Sequence, residues 1–362
     1  MREVCLLGGG RWSRVLAQVL LTTLPPDSKL TWVAHHGHAE CQRWLGTIPS
    51  TNVKLVHALG DQGSTFDAAI VATAPRTHFA DTKTFLEMGT SVLCEKPLTL
   101  SFSEALELRE LSDTKGLLLG VNVEFRQAQY ILDFKTRLGD STPQSIALDW
   151  MDPWSETRHG EVKMGDVYTD IVLDMFTHAV SVLDALQPRM ALKPMAAEYN
   201  ADSSITITGT QGTADVKIRL SRRHPSRARC INVDNGRGIL DFAMEPGQST
   251  VRGVQKDHAW NGMRPLATSL SGFFAAITEP QLRASWPLNV IHQLSSIQAT
   301  ERTRLLVQEA REKALRNLQT NDGAELVRLL VDMHAPHVAE AGERPPLATW
   351  EDQMRFAERF KT

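Results

Sequence analysis

The chain of 362 residues contains little cysteine and no long apolar run. Its cysteines lie far apart with no Cys-x-x-Cys spacing, so neither a disulfide framework nor a cysteine-ligated zinc site is indicated. They are Cys5, Cys41, Cys94 and Cys230. No stretch approaches the ~18 apolar residues that a membrane helix needs, and the first apolar run is too short for the core of a signal peptide. We therefore expect a cytoplasmic protein with reduced thiols, no metal site and no membrane partner.

The sequence also lacks an excess of charge of either sign. Lysine and arginine number 39 against 42 aspartates and glutamates, which gives a formal net charge of -3. No general field would therefore attract nucleic acid or an anionic membrane surface, and the expected partner is a small-molecule substrate. With 42% hydrophobic residues, a chain of this length is expected to form two domains, each with its own core.

A glycine-rich turn lies near the start of the chain, between an apolar run and a helical pattern. Residues 3–7 form the apolar run, residues 8–13 read Gly-Gly-Gly-Arg-Trp-Ser, and apolar residues then recur at helical spacing. This order is typical of a dinucleotide site, because glycine lets the backbone approach a pyrophosphate and free N–H groups at the helix start can bind it. The alternative is a plain tight turn. The predicted cofactor contacts here are Gly8, Gly10, Arg11, Trp12 and Ser13, with Ser13 where a third glycine is usual.

The second predicted strand, residues 30–34, bears on the choice between the two nicotinamide dinucleotides. An acidic residue just past its end would bind the adenine ribose of NAD. The sequence instead has His35 and His36 there, with no carboxylate before Glu40. We therefore predict that His35 and His36 contact the cofactor and that NADP(H) is preferred, with NAD(H) possible. The alternative is that both histidines are exposed loop residues.

Further strands alternate with helices as far as residue 122, which predicts an α/β domain with a doubly wound parallel sheet. Apolar strands over 66–74, 92–94 and 117–122 each lead into polar residues, and the middle one runs into Glu95-Lys96-Pro97. A helix over 77–88 and another capped by Ser101 or Ser103 are expected between them. Ligands bind at the carboxyl ends of such strands. The predicted cofactor contacts at these ends are Thr73, Pro75, His78, Glu95, Lys96 and Asn122.

Beyond about residue 140 the pattern changes to long strand-like segments with few helices between them. They cover 144–150, 189–199, 203–209, 213–220 and 228–234, and a hairpin turn is indicated within 233–241. The pattern predicts an α+β domain on a large, mainly antiparallel sheet with one open face.

One helical segment of this second half carries a carboxylate and an imidazole four residues apart. Asp174 and His178 lie in an apolar stretch over 171–186. On a helix this spacing puts both side chains on one face, within reach of each other or of a common ligand. The alternative is an ordinary surface pair.

Three ordered motifs resemble the Gfo/Idh/MocA oxidoreductases, the family of glucose-fructose oxidoreductase, inositol dehydrogenase and rhizopine catabolism. They are the glycine turn at 8–13, the stretch Val71-Ala72-Thr73-Ala74-Pro75-Arg76-Thr77-His78, and Glu95-Lys96-Pro97 after an apolar strand. The resemblance covers residues 1 to about 300. It implies a Rossmann domain followed by an open-faced sheet domain that supports a homo-oligomer, a dimer or a tetramer. It also implies that Lys96, Asp174 and His178 are catalytic.

The function implied is hydride transfer between a nicotinamide cofactor and a small polar substrate such as a sugar, a polyol or a related carbonyl compound. One alternative is an NADPH-dependent reductase of an imine or keto intermediate in a specialised biosynthetic pathway. An alternative from another class is a non-catalytic dinucleotide-binding sensor. On this basis we expect a Rossmann domain over 1–125, a substrate-binding and oligomerisation domain over 126–305 and a helical extension over 306–362.

The sequence departs from the family pattern where substrate is expected to bind. Tyr168-Thr169-Asp170 replaces the usual glycine cluster, and Glu124 stands where an arginine is common. We expect Trp150, Asp152, Trp154, Arg158 and His159 to form a loop over the pocket, where aromatic rings can stack on a substrate. The predicted substrate contacts are Lys96, Glu124, Trp154, Tyr168, Asp174 and His178.

Overall fold

The computed structural model describes residues 3–48, 52–60, 66–158, 161–164, 169–200, 202 and 204–317. The chain forms two compact units. Unit 1 comprises Met1–Leu132 and Trp260–Gln298, and unit 2 comprises Asp133–Ala259 and Ala299–Thr362. Each unit is described here by itself.

Unit 1 contains the parallel sheet that the sequence predicts. Its strands are β1 (Glu3–Leu7), β2 (Lys29–Val33), β3 (Val53–Val56), β4 (Ala68–Val71), β5 (Ser91–Glu95) and β6 (Leu119–Asn122). They lie in the order β3-β2-β1-β4-β5-β6, and every neighbouring pair is parallel. This is the strand order of a dinucleotide-binding fold, which places the carboxyl ends of all six strands at one edge. The predicted doubly wound sheet is confirmed.

The strands alternate with helices along the chain. The described α-helices are α1 (Arg11–Thr23), α2 (His38–Leu45), α3 (His78–Glu87), α4 (Phe102–Thr114), α5 (Gln129–Leu138), α6 (Thr177–Leu186), α7 (Pro265–Thr278) and α8 (Leu294–Asn317). Helix α4 begins as expected, because the Ser101 side chain accepts a hydrogen bond from the Glu104 N–H and Glu104 binds back to the Ser101 N–H. This capping box satisfies two N–H groups that the first turn leaves without helical partners.

The core of unit 1 is drawn from two distant parts of the sequence. The central strands are buried along their length, as expected for a parallel sheet covered on both faces. Residues 260–298 belong to this unit, and within them the indole of Trp286 lies against Gly120 of β6. The expected domains were continuous stretches divided near residue 125. The sequence pattern does not predict that residues 260–298 join unit 1, because it reflects local periodicity and not long-range packing.

Unit 2 is built on an eight-stranded sheet. The strands of this half are β7 (Ser145–Met151), β8 (Ser155–Arg158), β9 (Glu161–Met164), β10 (Leu192–Tyr199), β11 (Ile205–Gln211), β12 (Ala214–Ser221), β13 (Ala228–Val233), β14 (Gly238–Asp241), β15 (Gln248–Val251) and β16 (Val254–Asp257). The large sheet has the order β10-β11-β12-β7-β13-β14-β15-β16, and β8 pairs with β9 in a separate hairpin. All neighbouring pairs are antiparallel except β12 and β7, so the predicted, mainly antiparallel sheet is confirmed.

The sheet has one buried face and one exposed face. Along β12, Val216 and Ile218 are buried whereas Asp215 and Lys217 are exposed, because successive side chains of a strand point to opposite faces. The predicted hairpin is also present: a short turn at Asp234–Gly236 joins β13 to β14.

The expected loop around Trp150 is wrong in its first part. Trp150 lies inside β7 and is only 2% exposed, and Ser155–Arg158 forms strand β8. The apolar and β-branched residues that precede Trp150 continue the strand through it, so its indole packs in the core. His159 and the part of the expected helical extension beyond residue 317 lie outside the described residues.

Within the described ranges, no helix is both long and apolar enough to cross a membrane.

Replacing Gly120 with alanine tests the packing of residues 260–298 on the sheet. An added Cβ would overlap the ring of Trp286, so Gly120→Ala should lower the free energy of unfolding by about 1–3 kcal/mol. Urea unfolding measures this change. The control is Gly60→Ala in an exposed loop, where an added Cβ meets nothing within 4 Å. Its free energy of unfolding should change by less than about 0.5 kcal/mol. Equal losses in the two variants would contradict this account of the contact.

Candidate functional site

The glycine turn links β1 to α1 at the carboxyl edge of the parallel sheet. Gly8 has φ +139°, and an added Cβ there would overlap the Ala72 carbonyl. At Gly10 an added Cβ would meet nothing within 4 Å, and no side chain caps the start of α1. The turn therefore leaves open space beside helical N–H groups, which is the arrangement that receives a phosphate group. Gly8, Gly10, Arg11, Trp12 and Ser13 all lie in this turn or in the first turn of α1.

The loop between β2 and α2 lies directly against the glycine turn. The His36 carbonyl approaches Gly9 so closely that any side chain at Gly9 would overlap it. His35 and His36 are both exposed, at the position where the adenine ribose is expected. Two further imidazoles, His38 and His57, stack nearby with ring centroids 3.6 Å apart. The sequence gives no sign of this pair, because His38 begins α2 whereas His57 follows β3.

Glu95 joins three parts of the site edge. Its buried carboxyl group, at the end of β5, accepts hydrogen bonds from the Trp12 side chain and from Asn122 Nδ2, the latter at 2.6 Å. Burial raises the pKa of Glu95, although both donors and the Lys96 charge oppose this shift. Glu95, Trp12 and Asn122, all predicted cofactor contacts, are thus connected to one another.

His78 lies beneath the same edge. Its ring is 1% exposed, with Nδ1 2.6 Å from the Pro97 carbonyl and Nε2 3.1 Å from the Thr73 carbonyl. Burial lowers the pKa of His78, while the two carbonyl oxygens favour the protonated ring. The imidazole therefore contacts the backbone just after Lys96, at Pro97, and the backbone two residues before Pro75, at Thr73. A direct contact of His78 with cofactor remains a prediction from the sequence.

Lys96 and Glu124 follow the ends of neighbouring strands. Lys96 comes directly after β5 and is half-buried, whereas Glu124 begins a short turn just beyond β6 and is 9% exposed. Because β5 and β6 are adjacent and parallel, both residues lie at the edge that carries the glycine turn. Thr73 and Pro75 follow β4 at the same edge, and the Thr73 hydroxyl donates to Asp81 Oδ2 at 2.6 Å.

In unit 2, Asp174 lies in a π-helical turn over Val172–Phe176, which leads into α6. Such turns insert an extra residue into a helix and occur often at functional sites. The sequence predicts a helix here but gives no sign of its widened turn. Asp170 precedes the turn, and its Oδ1 accepts a hydrogen bond from the Leu173 N–H at 2.9 Å.

His178, at the start of α6, stacks on a core tryptophan. Its ring lies nearly parallel to Trp150, at 9°, with ring centroids 5.0 Å apart. Arg229 lies over the same indole, 3.9 Å from its centroid, and donates to Asp152 Oδ1 at 2.7 Å. Burial lowers the pKa of Arg229 to about 10. A rigid indole therefore sets the plane of the His178 ring, which stays half-exposed.

The remaining predicted substrate contacts are Trp154 and Tyr168. Trp154 is partly exposed, with the Arg223 guanidinium 4.5 Å from its ring centroid. Tyr168 lies outside the described residues.

One residue near the candidate site, Arg222, is not predicted from the sequence. It follows β12, is only 2% exposed, and places Nη2 3.3 Å from Asp174 Oδ2. The available signal is the density of basic residues over 221–229, which read Ser-Arg-Arg-His-Pro-Ser-Arg-Ala-Arg. That signal does not identify which arginine faces Asp174, because strand pairing alone determines it.

The residues present fit a dinucleotide. Gly10 leaves the space that a pyrophosphate needs, and helix α1 presents N–H groups toward it. No group of His, Cys, Asp or Glu side chains able to hold a metal ion occurs within the described residues.

Comparison with known proteins identifies the first third of the chain most directly. Residues 2–123 match a family described as the GFO/IDH/MocA oxidoreductase family with an NAD-binding Rossmann fold. The uncharacterized oxidoreductase YfiI of Bacillus subtilis is 27% identical over 220 residues, covering 51% of this chain and 56% of the relative. An uncharacterized oxidoreductase of Schizosaccharomyces pombe is 34% identical over 225 residues, covering 62% and 56%. The chain thus spans little more than half the length of these curated relatives.

Solved structures agree on the fold of most of the chain. The UDP-N-acetylglucosamine 3-dehydrogenase GnnA from Acidithiobacillus ferrooxidans has a TM-score of 0.68 at 17% identity, over 85% of this chain and 98% of that one. A 3-ketoreductase from Actinomadura kijaniata, in complex with TDP-benzene and NADP, has a TM-score of 0.65 at 15% identity, over 83% and 96%. The family match, the related oxidoreductases and the three motifs agree: the first third of the chain belongs to the Gfo/Idh/MocA oxidoreductases with their NAD-binding Rossmann fold.

Proposed function

We propose that this oxidoreductase transfers a hydride between a nicotinamide cofactor and a small polar substrate, which is a sugar, a polyol or a related carbonyl compound. The observation that carries the proposal is the position of Lys96. It follows β5 at the carboxyl edge of the sheet, the edge that also holds the open glycine turn. Ligands of such sheets bind at this edge. A fixed ammonium there stabilises negative charge on a reacting substrate oxygen.

Three side chains act on the substrate in this proposal. A bound nicotinamide supplies or accepts the hydride. Lys96 donates a hydrogen bond to the substrate oxygen and orients it. His178 carries the hydroxyl proton, because an imidazole ordinarily gains and loses a proton near neutral pH. Asp174 binds a neighbouring substrate hydroxyl or orients the imidazole.

A second candidate is a reductase of an imine or keto intermediate. Glu124 favours it, since a buried carboxyl group stands just beyond β6 where the family pattern has an arginine. A carboxylate favours a substrate with a cationic nitrogen over an anionic one. Because residues 2–123 match an oxidoreductase family, we favour an enzyme over a sensor without turnover.

Replacing Lys96 tests the hydride-transfer proposal. In a screen of polyols, sugars, ketones and cyclic imines with either cofactor, wild type should turn over at least one class. Lys96→Ala should then lower kcat at least about a hundredfold, because the developing charge loses its partner. The matched control is Lys83→Ala, which removes an exposed pair with Glu107 and should leave kcat unchanged. Near-normal turnover in a folded Lys96→Ala variant would remove Lys96 from the mechanism.

For the cofactor, we propose that NADP(H) is preferred. Neither residue just past β2, His35 or His36, is a carboxylate. The first carboxylate after β2 is Glu40, which is paired with Arg43 at 3.1 Å. NADPH should therefore bind more tightly than NADH in calorimetry. Replacing His35 and His36 together with alanine should weaken NADPH binding about tenfold, as expected for one lost charged hydrogen bond, and leave NADH binding unchanged. Tighter binding of NADH to wild type would reverse the assignment.

We also propose that the protein is a homo-oligomer, a dimer or a tetramer, associating through the exposed face of the unit 2 sheet. Exposed Ala147 and Thr208 give this face small, uncharged side chains among the charged ones. Sedimentation velocity should show a species of two or four chains, and a monomer at micromolar concentration would contradict the proposal.

A further inference from the structure

Arg222 is a buried cation placed next to a proposed catalytic carboxylate. It follows β12, and its side chain is 2% exposed. Nη2 donates to the Thr169 carbonyl at 2.6 Å and lies 3.3 Å from Asp174 Oδ2. A buried guanidinium is costly unless its hydrogen bonds are met, so these contacts fix its orientation.

A second arginine holds the same segment through another carboxylate. Arg304 Nε donates to Asp170 Oδ2 at 2.9 Å, while Asp170 Oδ1 accepts from the Leu173 N–H. The π-helical turn is therefore anchored at Asp170 by Arg304 and at Thr169 and Asp174 by Arg222. The two arginines provide a natural comparison.

The exposure of its carboxylate partner separates Arg222 from Arg227 and Arg229, which follow it along the chain. Arg229 pairs with Asp152 and Arg227 with Glu156, and these carboxylates are only 13% and 17% exposed. Asp174 is 35% exposed. The pair with Asp174 thus leaves more of its carboxylate open to a ligand than the other two pairs do.

We propose that Arg222 is a positioning residue, which fixes the Asp174 carboxylate in the orientation that meets substrate. The inference rests on the proposed role of Asp174 in hydride transfer. Arg222 contributes through Asp174, with the Thr169 carbonyl setting the direction of the guanidinium. Lysine would supply a charge but not the planar guanidinium, in which Nη2 meets both acceptors.

An unfolding cycle tests the pair without any substrate. Wild type, Arg222→Met, Asp174→Asn and the double variant are unfolded in urea. Loss of Arg222 should destabilise the wild-type background more than the Asp174→Asn background, because only the former leaves a carboxylate without its cation. Equal destabilisation in both backgrounds would show that the two side chains are not coupled.

A kinetic cycle tests whether the pair serves the reaction, using the substrate class found in the screen. Arg222→Met should lower kcat about tenfold or more in the wild-type background but less than about threefold when Asp174 is already Asn. Arg222→Lys should recover part of the loss, since the charge remains. The control is Arg304→Met, whose effect on kcat should be the same factor in both backgrounds.

The outcomes separate this inference from the proposed function. An equal loss of kcat for Arg222→Met in both backgrounds would overturn the positioning role while hydride transfer stands. A wild type without turnover of any substrate class would overturn the proposed function, and the unfolding cycle would still decide whether Arg222 and Asp174 are coupled. Circular dichroism and cofactor titration confirm that each variant is folded.

Discussion

The carboxyl edge of the parallel sheet depends on one buried hydrogen-bonded carboxyl group. Glu95 accepts from Trp12 of the glycine turn and from Asn122 of β6, so the ends of three chain segments are held by a single side chain. A buried polar group is costly unless it is satisfied, and satisfaction here requires all three segments in place. Lys96, the next residue, receives its position from this junction.

At the same edge, Gly8 and Gly9 make backbone contacts that leave no room for a side chain at either position. Gly8 lies against the Ala72 carbonyl and Gly9 against the His36 carbonyl. The Trp32 indole donates to the Gly8 carbonyl at 2.7 Å, which ties the turn to β2. The glycines thus serve the close packing of neighbouring loops as well as the open space at Gly10. A substitution at Gly9 would displace the loop between β2 and α2, so the packing of both loops depends on this glycine.

The sequence predicts those features of the fold that depend on residues close together along the chain. The alternation of strands and helices, the Ser101 cap and the β13–β14 hairpin follow from periodicity and turn chemistry, and each is present in the structure. The return of residues 260–298 to unit 1 was not predictable in this way, because an indole packed on Gly120 leaves no trace in the spacing of either segment. The prediction of a loop at Trp150 is wrong for a related reason. An aromatic residue near the end of a strand has the same sequence pattern whether it packs in the core or lines a pocket.

The candidate site of unit 2 shows the same limit and explains a departure from the family pattern. A glycine cluster before Asp174 would leave the backbone permissive, whereas Thr169 and Asp170 take part in defined contacts. The Thr169 carbonyl accepts from Arg222, and Asp170 binds both Arg304 and the Leu173 N–H. The segment before Asp174 thereby loses conformational freedom and gains charge-assisted hydrogen bonds, which are stronger than hydrogen bonds between neutral groups. In the proposed reaction the carboxylate of Asp174 is held by the protein before substrate arrives, so less ordering is left for the substrate to impose.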